Sequence, residues 1–285
     1  MGATGGSAGK SAGAAAEAGV GAGSGVGGSG GSVGGGGSGG STAEAGAAGM
    51  ADAGAGGQRA VVWSEAELEQ LGFELLGVAT VDAAGVVLVG AKDQRGAIVQ
   101  TQPLDLEASD ALHLEVGIRI LSGDIPADGL ALVIHASPNG PSTLGLGGGG
   151  LGYGGLAPCL AVELDLFQTA TDPSVPHLTL MPDCNPDNHG PSSSAVDGNV
   201  ADGKDWTLTA DWSSSTNVLE VHLRSVETGH DAELLHTVDL SSVIGPEAFL
   251  AVTAATGGHY ATQRLTSLRL EGAGLSWRGL VSDSQ

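Results

Sequence analysis

The sequence predicts an all-β protein, a two-sheet antiparallel sandwich of the jelly-roll kind, on three observations. About a dozen short stretches of apolar alternation recur along the chain, each closed by a turn. Only one segment, "SEAELEQLG" (64–72), has helical spacing, and it is short. The strand candidates follow one another without intervening helices, which argues against a parallel βαβ fold.

The first 58 or so of the 285 residues stand apart from this pattern. They are nearly all Gly, Ala and Ser, as in "GVGAGSGVGGSGGSVGGGGSGGS", and bury too little apolar surface to offset chain entropy. Segment 1–58 is therefore expected to be a flexible linker or tail. The near-match "SAGKS" at 7–11 lacks the spacing and the preceding strand of a phosphate-binding loop. Residues 59–285 form the predicted domain, long enough for one substantial core.

Strand candidates begin with "FELLGVATV" (73–81), "GVVLVG" (85–90), "AIVQTQPLDL" (97–106), "LHLEVGIRIL" (112–121) and "GLALVIHA" (129–136). A Gly-rich loop, "TLGLGGGGLGYGGL" (143–156), comes next. Its formal G-x-G-x-x-G at 145–150 leads into a strand instead of a helix, so a dinucleotide site is not expected. The loop either brings backbone N–H groups close to a ligand or, as its composition favours, is a mobile connector. The series resumes with "LAVELDLF" (160–167), "HLTLM" (177–181), "WTLTADW" (206–212) and "VLEVHLRSV" (218–226). It closes with "ELLHTVDL" (233–240), "AFLAVTAAT" (248–256) and "QRLTSLRLEG" (263–272).

The formal net charge of −22 lies almost wholly in the domain. Such a surface argues against nucleic acid and anionic membranes and tolerates divalent cations. No run of 18 or more apolar residues is present, so no membrane span is expected, and no signal peptide is legible. Cys159 and Cys184 flank a hairpin almost symmetrically about Asp172. A bridge across the paired strands, implying an oxidising compartment, is the favoured reading; two buried free thiols are the alternative.

The chemistry concentrates in "ELDLFQTATDPSVPH" (163–177). Period two puts Val162, Leu164 and Leu166 on the core face and Glu163, Asp165 and Phe167 on the other. A carboxylate pair at i and i+2 is usually a solvated face. Here chain reversal around 168–176 would return Asp172 and His177 beside the pair, and three carboxylates converging without a cation would repel one another. Carboxylates with carbonyls suit calcium; a His within a carboxylate set suits manganese or another transition-metal ion.

"LGYGGLAPCLAVELDLFQTATDPSVPH" (151–177) resembles the core of the L-type (legume-type) lectins, bacterial members especially. "GAIVQTQPLDL", "ADGLALVIH", "DGKDWTLTADW" and "AFLAVTAATGG" are similar to further landmarks in the family's order, so the resemblance covers about 70–272. It implies a concanavalin-like jelly roll of a flat back sheet and a curved front sheet. It also implies that Glu163, Asp165, Asp172 and His177 hold the transition ion, and that Asp165, the Phe167 carbonyl, Thr169 and Asp172 hold calcium. Asp128, aimed by a cis Ala127–Asp128 bond, would bind a sugar hydroxyl pair with an N–H of Gly149 or Gly150. Phe167 would face the sugar, and Gly257, Gly258, His259 and Tyr260 would shape monosaccharide choice. The family usually carries Asn, serving both calcium and sugar, where this chain has Thr169.

Three functions compete. The resemblance implies a non-catalytic, metal-dependent lectin on a flexible tether, extracellular or at the cell surface, with glycans or glycoconjugates as partners. A metal-stabilised structural or adhesion module that has lost sugar binding is the alternative. Glycoside hydrolases resembling laminarinases share the architecture but carry E-x-D-x-(x)-E, where this chain reads ELDLFQ from Glu163 to Gln168. Retaining hydrolysis needs two carboxyls about 5–5.5 Å apart, and Gln cannot exchange the catalytic proton. His113, His135, His189, His222, His230 and His236 show no metal spacing, and Trp206 and Trp212 read as core or sheet-face aromatics.

Overall fold

A computed structural model describes residues 63–170, 172–187, 192–272 and, as backbone, 275–281. Segment 1–58, expected to be a flexible tail, lies outside the described residues, as does His189. Helix α1 (Glu65–Gln70) is the segment with helical spacing. Ser64 caps it, its hydroxyl accepting from Glu67 N–H at 3.2 Å, and Leu68 is buried.

Sixteen strands follow among the described residues. They begin with β1 (Phe73–Gly77), β2 (Thr80–Asp82), β3 (Gly85–Val89), β4 (Arg95–Gln100), β5 (Leu104–Asp105), β6 (Ala111–Ser122), β7 (Gly129–His135) and β8 (Cys159–Asp165). The rest are β9 (His177–Pro182), β10 (Ser193–Ala195), β11 (Asp202–Ser213), β12 (Val218–Ser225), β13 (Asp231–Thr237), β14 (Glu247–Ala255), β15 (Ala261–Gly272) and β16 (Leu275–Val281). One sheet runs β1-β4-β14-β7-β8-β9-β10, with β5 on β14; the other runs β13-β12-β11-β6-β15-β3-β2, with β16 on β15. The result is an all-β sandwich of two antiparallel sheets.

Element boundaries differ from the sequence pattern where backbone chemistry intervenes. Segment 73–81 is two strands, parted after Gly77 at φ 67°, and 97–106 breaks before Pro103, which has no N–H for a ladder. Segment 233–240 ends as strand at Thr237; Asp239 then caps a short helix α2 (Leu240–Ile244), its side chain accepting from Ser242 N–H. β10 and β16 have no counterpart in the pattern, and "SSA" carries no apolar period to announce β10.

The main core lies between the sheets. Leu130, Leu132, Val162, Leu164, Leu180 and Val252 of the first sheet pack with Leu114, Val116, Trp206, Leu208, Trp212 and Leu268 of the second. A smaller core covers the opposite face of the first sheet, where Leu151, Tyr153 and Leu156 lie over Ala131, Val133, Ala161 and Ala251. β7 and β8 are thus buried on both faces along their whole length.

The Gly-rich loop supplies that second cover, so the mobile connector favoured by composition is corrected. Gly145 N–H donates to Gly152 O at 2.7 Å and Gly152 N–H to Leu146 O at 2.8 Å. Thr253 Oγ1 on β14 donates to Leu151 O at 2.8 Å. A Cβ on Gly145 would stand 2.5 Å from the Tyr153 carbonyl carbon, so glycine here permits close backbone packing, not freedom. Cys159 and Cys184 beneath the loop are joined in a disulfide with Cα atoms 5.7 Å apart.

Candidate metal centre and adjoining cavity

β8 and β9 pair antiparallel with Asp165 opposite His177 and Glu163 opposite Thr179. Side chains two apart on β8 share a face, so Glu163 stands beside the Asp165–His177 pair. One ligand atom from each of Glu163, Asp165 and His177 lies within 4.8 Å of the others. All three residues are buried, at 2%, 8% and 0% exposure.

The connection between β8 and β9 is fixed by its own polar groups. Phe167 N–H donates to Asp165 Oδ1 at 2.7 Å, and Thr169 N–H donates to Asp172 Oδ2. The Gln168 amide donates to the carbonyls of Asp172 at 3.0 Å and Pro173 at 2.6 Å. Gln168 is therefore a loop brace at the position where a hydrolase would carry its second acid. Asp172 lies outside the group of three but lines the same cavity as Glu163 and Asp165.

Burial dominates the electrostatics. It pushes the Glu163 carboxyl up to about 8, with repulsion from Asp165 and Asp172 adding, and a hydrogen bond from the Tyr153 phenol opposing. Asp165 is pushed up to about 7 by burial and by Asp172 and Asp128, against the Phe167 N–H bond. No Lys or Arg is among the described residues lining the cavity. Buried carboxylates with a buried imidazole and no cationic side chain form a donor set that fits divalent ions.

In front of the cluster opens a cavity of about 420 Å³. Asp128, Gly148, Gly149, Gly150, Phe167, Thr169 and Gly257 line it together with the acids. The Ala127–Asp128 peptide is cis. Asp128 N–H donates to Ala255 O at 3.1 Å, and its carbonyl accepts from Leu166 N–H at 2.9 Å. Its side chain is 8% exposed, and Oδ2 is buried without a hydrogen-bond partner among the described residues. Burial pushes this carboxyl up to about 6, with His259 lowering and Asp93 raising it.

Of the residues the sequence assigned to sugar, Asp128, Gly149, Gly150, Phe167 and Thr169 line the cavity. Gly150 gives its N–H to Gly147 O at 3.1 Å, which leaves Gly149 as the candidate donor. Gly258, His259 and Tyr260 are not on the lining; Gly257 is. His259 stacks on Phe167, and the Tyr260 ring packs on Gly123, where a Cβ would be 2.3 Å from it.

Three supporting residues escaped the sequence reading. Tyr153 is buried and bonded to Glu163; its signal was a lone aromatic in a Gly-rich loop. Gln263 is fully buried and donates from Nε2 to Ala127 O at 3.2 Å and Ala255 O at 3.4 Å; its signal was an amide in core phase with Leu265. Asp124 binds the N–H of Tyr260 at 2.9 Å and pairs with Lys92. Among the scattered histidines, His222 is a strand residue that stands beside two exposed acids. The β12–β13 register brings its ligand atom within 4.8 Å of those of Glu220 and Glu233, a neighbourhood hidden in linear spacing.

This two-sheet architecture, with an acid–imidazole cluster behind a shallow cavity, is that of a lectin-type β-sandwich. The family described as the legume lectin domain matches residues 68–275, and the chain belongs to that family, which is non-catalytic. The basic agglutinin of Psophocarpus tetragonolobus is 32% identical over 142 residues, 49% of this chain and 55% of the agglutinin. The chain thus spans about half the length of that relative. The lectin of Bauhinia forficata, solved in complex with GalNAc, superposes with a TM-score of 0.63 at 20% identity, covering 70% of this chain and 92% of that one. Winged bean acidic lectin, complexed with methyl-α-D-galactose, gives 0.61 at 22% identity, over 70% and 92% of the two chains.

Proposed function

We propose that the domain binds carbohydrate in the cavity fronting the Glu163–Asp165–His177 cluster, and that binding depends on calcium and manganese or another transition ion. Asp128 carries the reading: a buried carboxylate with an unpartnered oxygen faces the cavity, ready to accept from sugar hydroxyls. Gly149 would donate from its backbone, and Phe167 would offer an apolar surface to the sugar's C–H face. Glu163, Asp165, Asp172 and His177 would hold the transition ion; Asp165, the Phe167 carbonyl, Thr169 and Asp172 would hold calcium. Bound ions would supply the positive charge that lets these acids ionise while buried and would fix the loop carrying Phe167. Galactose and GalNAc, present in the two lectin structures above, head the candidate sugars. The disulfide supports an oxidising location, outside or on the surface of a cell, and the resemblance to bacterial members supports a bacterial one.

A metal-stabilised adhesion module without sugar binding is the second reading. It is favoured by Thr169, whose side chain is exposed and shorter than the usual Asn, and whose N–H is committed to Asp172. A glycan array run with calcium and manganese, then repeated in EDTA, separates the two. Metal-dependent signal is expected. Metal-dependent melting with a blank array would sink the lectin and leave the module.

A further inference from the structure

The outer face of the second sheet carries a cluster that the sugar cavity does not use. Glu220 and His222 stand two apart on β12, so both project from that face, and β13 sets Glu233 directly across from His222. One ligand atom from each of the three lies within 4.8 Å of the others. His222 Nε2 is 2.7 Å from Glu220 Oε1. The same face adds Asp211 across from Glu220 on β11, and Asp231 Oδ1 lies 3.8 Å from His222 Nδ1.

These side chains stand on a rigid support and are short of positive charge. β12 is an interior strand, laddered to β11 on one side and to β13 on the other along its length. The His222 side chain is only 14% exposed, so the sheet fixes the ring while both glutamates reach solvent. Neither glutamate pairs with a Lys or Arg among the described residues. Arg224 turns to Asp231 instead, its Nε 3.3 Å from Oδ1. Two carboxylates alone would be a solvated face. With a fixed imidazole beside them they become a three-donor set of one nitrogen and two oxygens, open on the solvent side.

We propose that Glu220, His222 and Glu233 form a zinc site, separate from the proposed calcium and manganese centre on the first sheet. One imidazole with two carboxylates suits zinc, which takes three protein ligands and leaves its fourth tetrahedral position to water. Nε2 is the ligating nitrogen, since it already faces Glu220. Metal there places the ring proton on Nδ1, on the side of Asp231, and a carboxylate behind the ring orients it for the ion. The Arg224 side chain, 61% exposed, keeps Asp231 and gives up its 3.3 Å contact with Nδ1. Calcium takes six to eight oxygens, so a small set containing nitrogen selects against it.

Zinc titration of the full chain, already saturated with calcium and manganese, tests the site, with released manganese followed by electron spin resonance. One zinc per chain should bind without releasing manganese. His222→Gln and Glu233→Gln should each weaken that zinc at least about tenfold, a loss of about 1.4 kcal/mol, and leave calcium and manganese binding unchanged. Glu233 is exposed, so its variant keeps the fold, and an unchanged melting temperature in the absence of zinc checks both. Zinc that enters only by displacing manganese overturns the site. So does a dissociation constant above about 1 mM, or a zinc that survives both variants. Calcium that fills the site as tightly as zinc overturns the role given to the imidazole. The readout needs no sugar, so failure here leaves the carbohydrate reading of the first cavity standing.

Discussion

His259 lies against Phe167 with ring centroids 5.6 Å apart and planes inclined by 29°. Phe167 lines the cavity and His259 does not, so the imidazole backs the ring instead of facing the ligand. Asp124 holds the imidazole, Oδ2 lying 3.2 Å from Nδ1, and Lys92 with two backbone N–H groups keeps the Asp124 carboxyl well below its usual range. An aromatic pair of this kind contributes about 0.5–1.5 kcal/mol. His259→Ala should therefore weaken sugar binding about two- to tenfold, and His259→Phe should restore it. Unchanged affinity in the alanine variant, by titration, would remove Phe167 from the sugar site.

Tyr153 should matter to the metal more than to the fold. Its phenol is buried and donates to Glu163 Oε2, orienting a carboxylate assigned to the transition ion. Loss of such a supporting bond typically lowers metal affinity about 10–100-fold. Tyr153→Phe keeps the ring that packs over the first sheet, so manganese affinity should drop by that order with little loss of melting temperature. Equal affinity in a chelator-competition assay would argue that Glu163 is not a ligand.

The direction of the pH response should invert with metal loading. In the metal-free protein Glu163 is raised to about 8 and Asp165 to about 7, above their unfolded values of 4.5 and 3.8. The folded state then holds protons that the unfolded chain releases. The stability these groups contribute is complete below about pH 4 and is lost as pH rises through 7 and 8. Metal ions bind the deprotonated ligands and stabilise as RT ln(1 + [L]/Kd), which grows with pH over the same interval. Melting of EDTA-treated protein should fall between pH 5 and 8, by about 2–4 °C per kcal/mol. Melting in calcium and manganese should hold or rise. Parallel slopes in the two conditions would show that no ion binds these carboxylates.

Fold class and the buried pairing of Glu163 with Asp165 were legible because both depend on period two. Alternation on β8 assigns Val162 and Leu164 to the core and Glu163 and Asp165 to the other face without knowledge of any partner strand. What escaped depends on register and on contacts far apart in sequence. Tyr153 reaches Glu163 only because the loop folds back over its own sheet, and composition rated that loop as loose. The pairing of His222 with Glu233 follows from cross-strand register. Gln263 looked like one polar residue in a strand, and its role appears only when the two sheets face each other.

Gln263 bridges those sheets. Its Nε2 reaches the carbonyls of Ala127 and Ala255, which flank the Asp128 peptide, and each carbonyl also accepts a backbone N–H, from Ala261 at 3.0 Å and Asp128 at 3.1 Å. Oε1 is buried with no hydrogen-bond partner among the described residues. Gln263→Met removes that unsatisfied oxygen and leaves both carbonyls one bond, so stability should change by less than about 1 kcal/mol. Asp128 would lose its clamp, and sugar affinity should drop roughly tenfold through looser positioning. Wild-type affinity in a folded Met variant would make Gln263 a packing residue only.

Thr169 offers the sharpest test of the site as a whole. It lines the cavity, its side chain is exposed, and its N–H already braces Asp172. Calcium prefers several well-placed oxygens, and a Thr hydroxyl reaches less far than an Asn carbonyl, so a water or a weaker ligand takes its place. The amide would also donate to the sugar, a hydrogen bond worth about 0.5–1.5 kcal/mol net. Both effects have the same sign, so the unaltered domain should bind monosaccharides weakly and depend on multivalent display for avidity. Thr169→Asn should tighten calcium and sugar together, the sugar by about two- to tenfold, because one side chain then serves both. The backbone bond to Asp172 is retained, so the loop need not rearrange to accept the amide. Titration of both variants with calcium, then with sugar at saturating calcium, reads the two effects separately. If calcium affinity does not move, residue 169 is not at the calcium position. If calcium tightens while neither variant binds any sugar, the cavity is a relic and the domain is a metal-stabilised adhesion module.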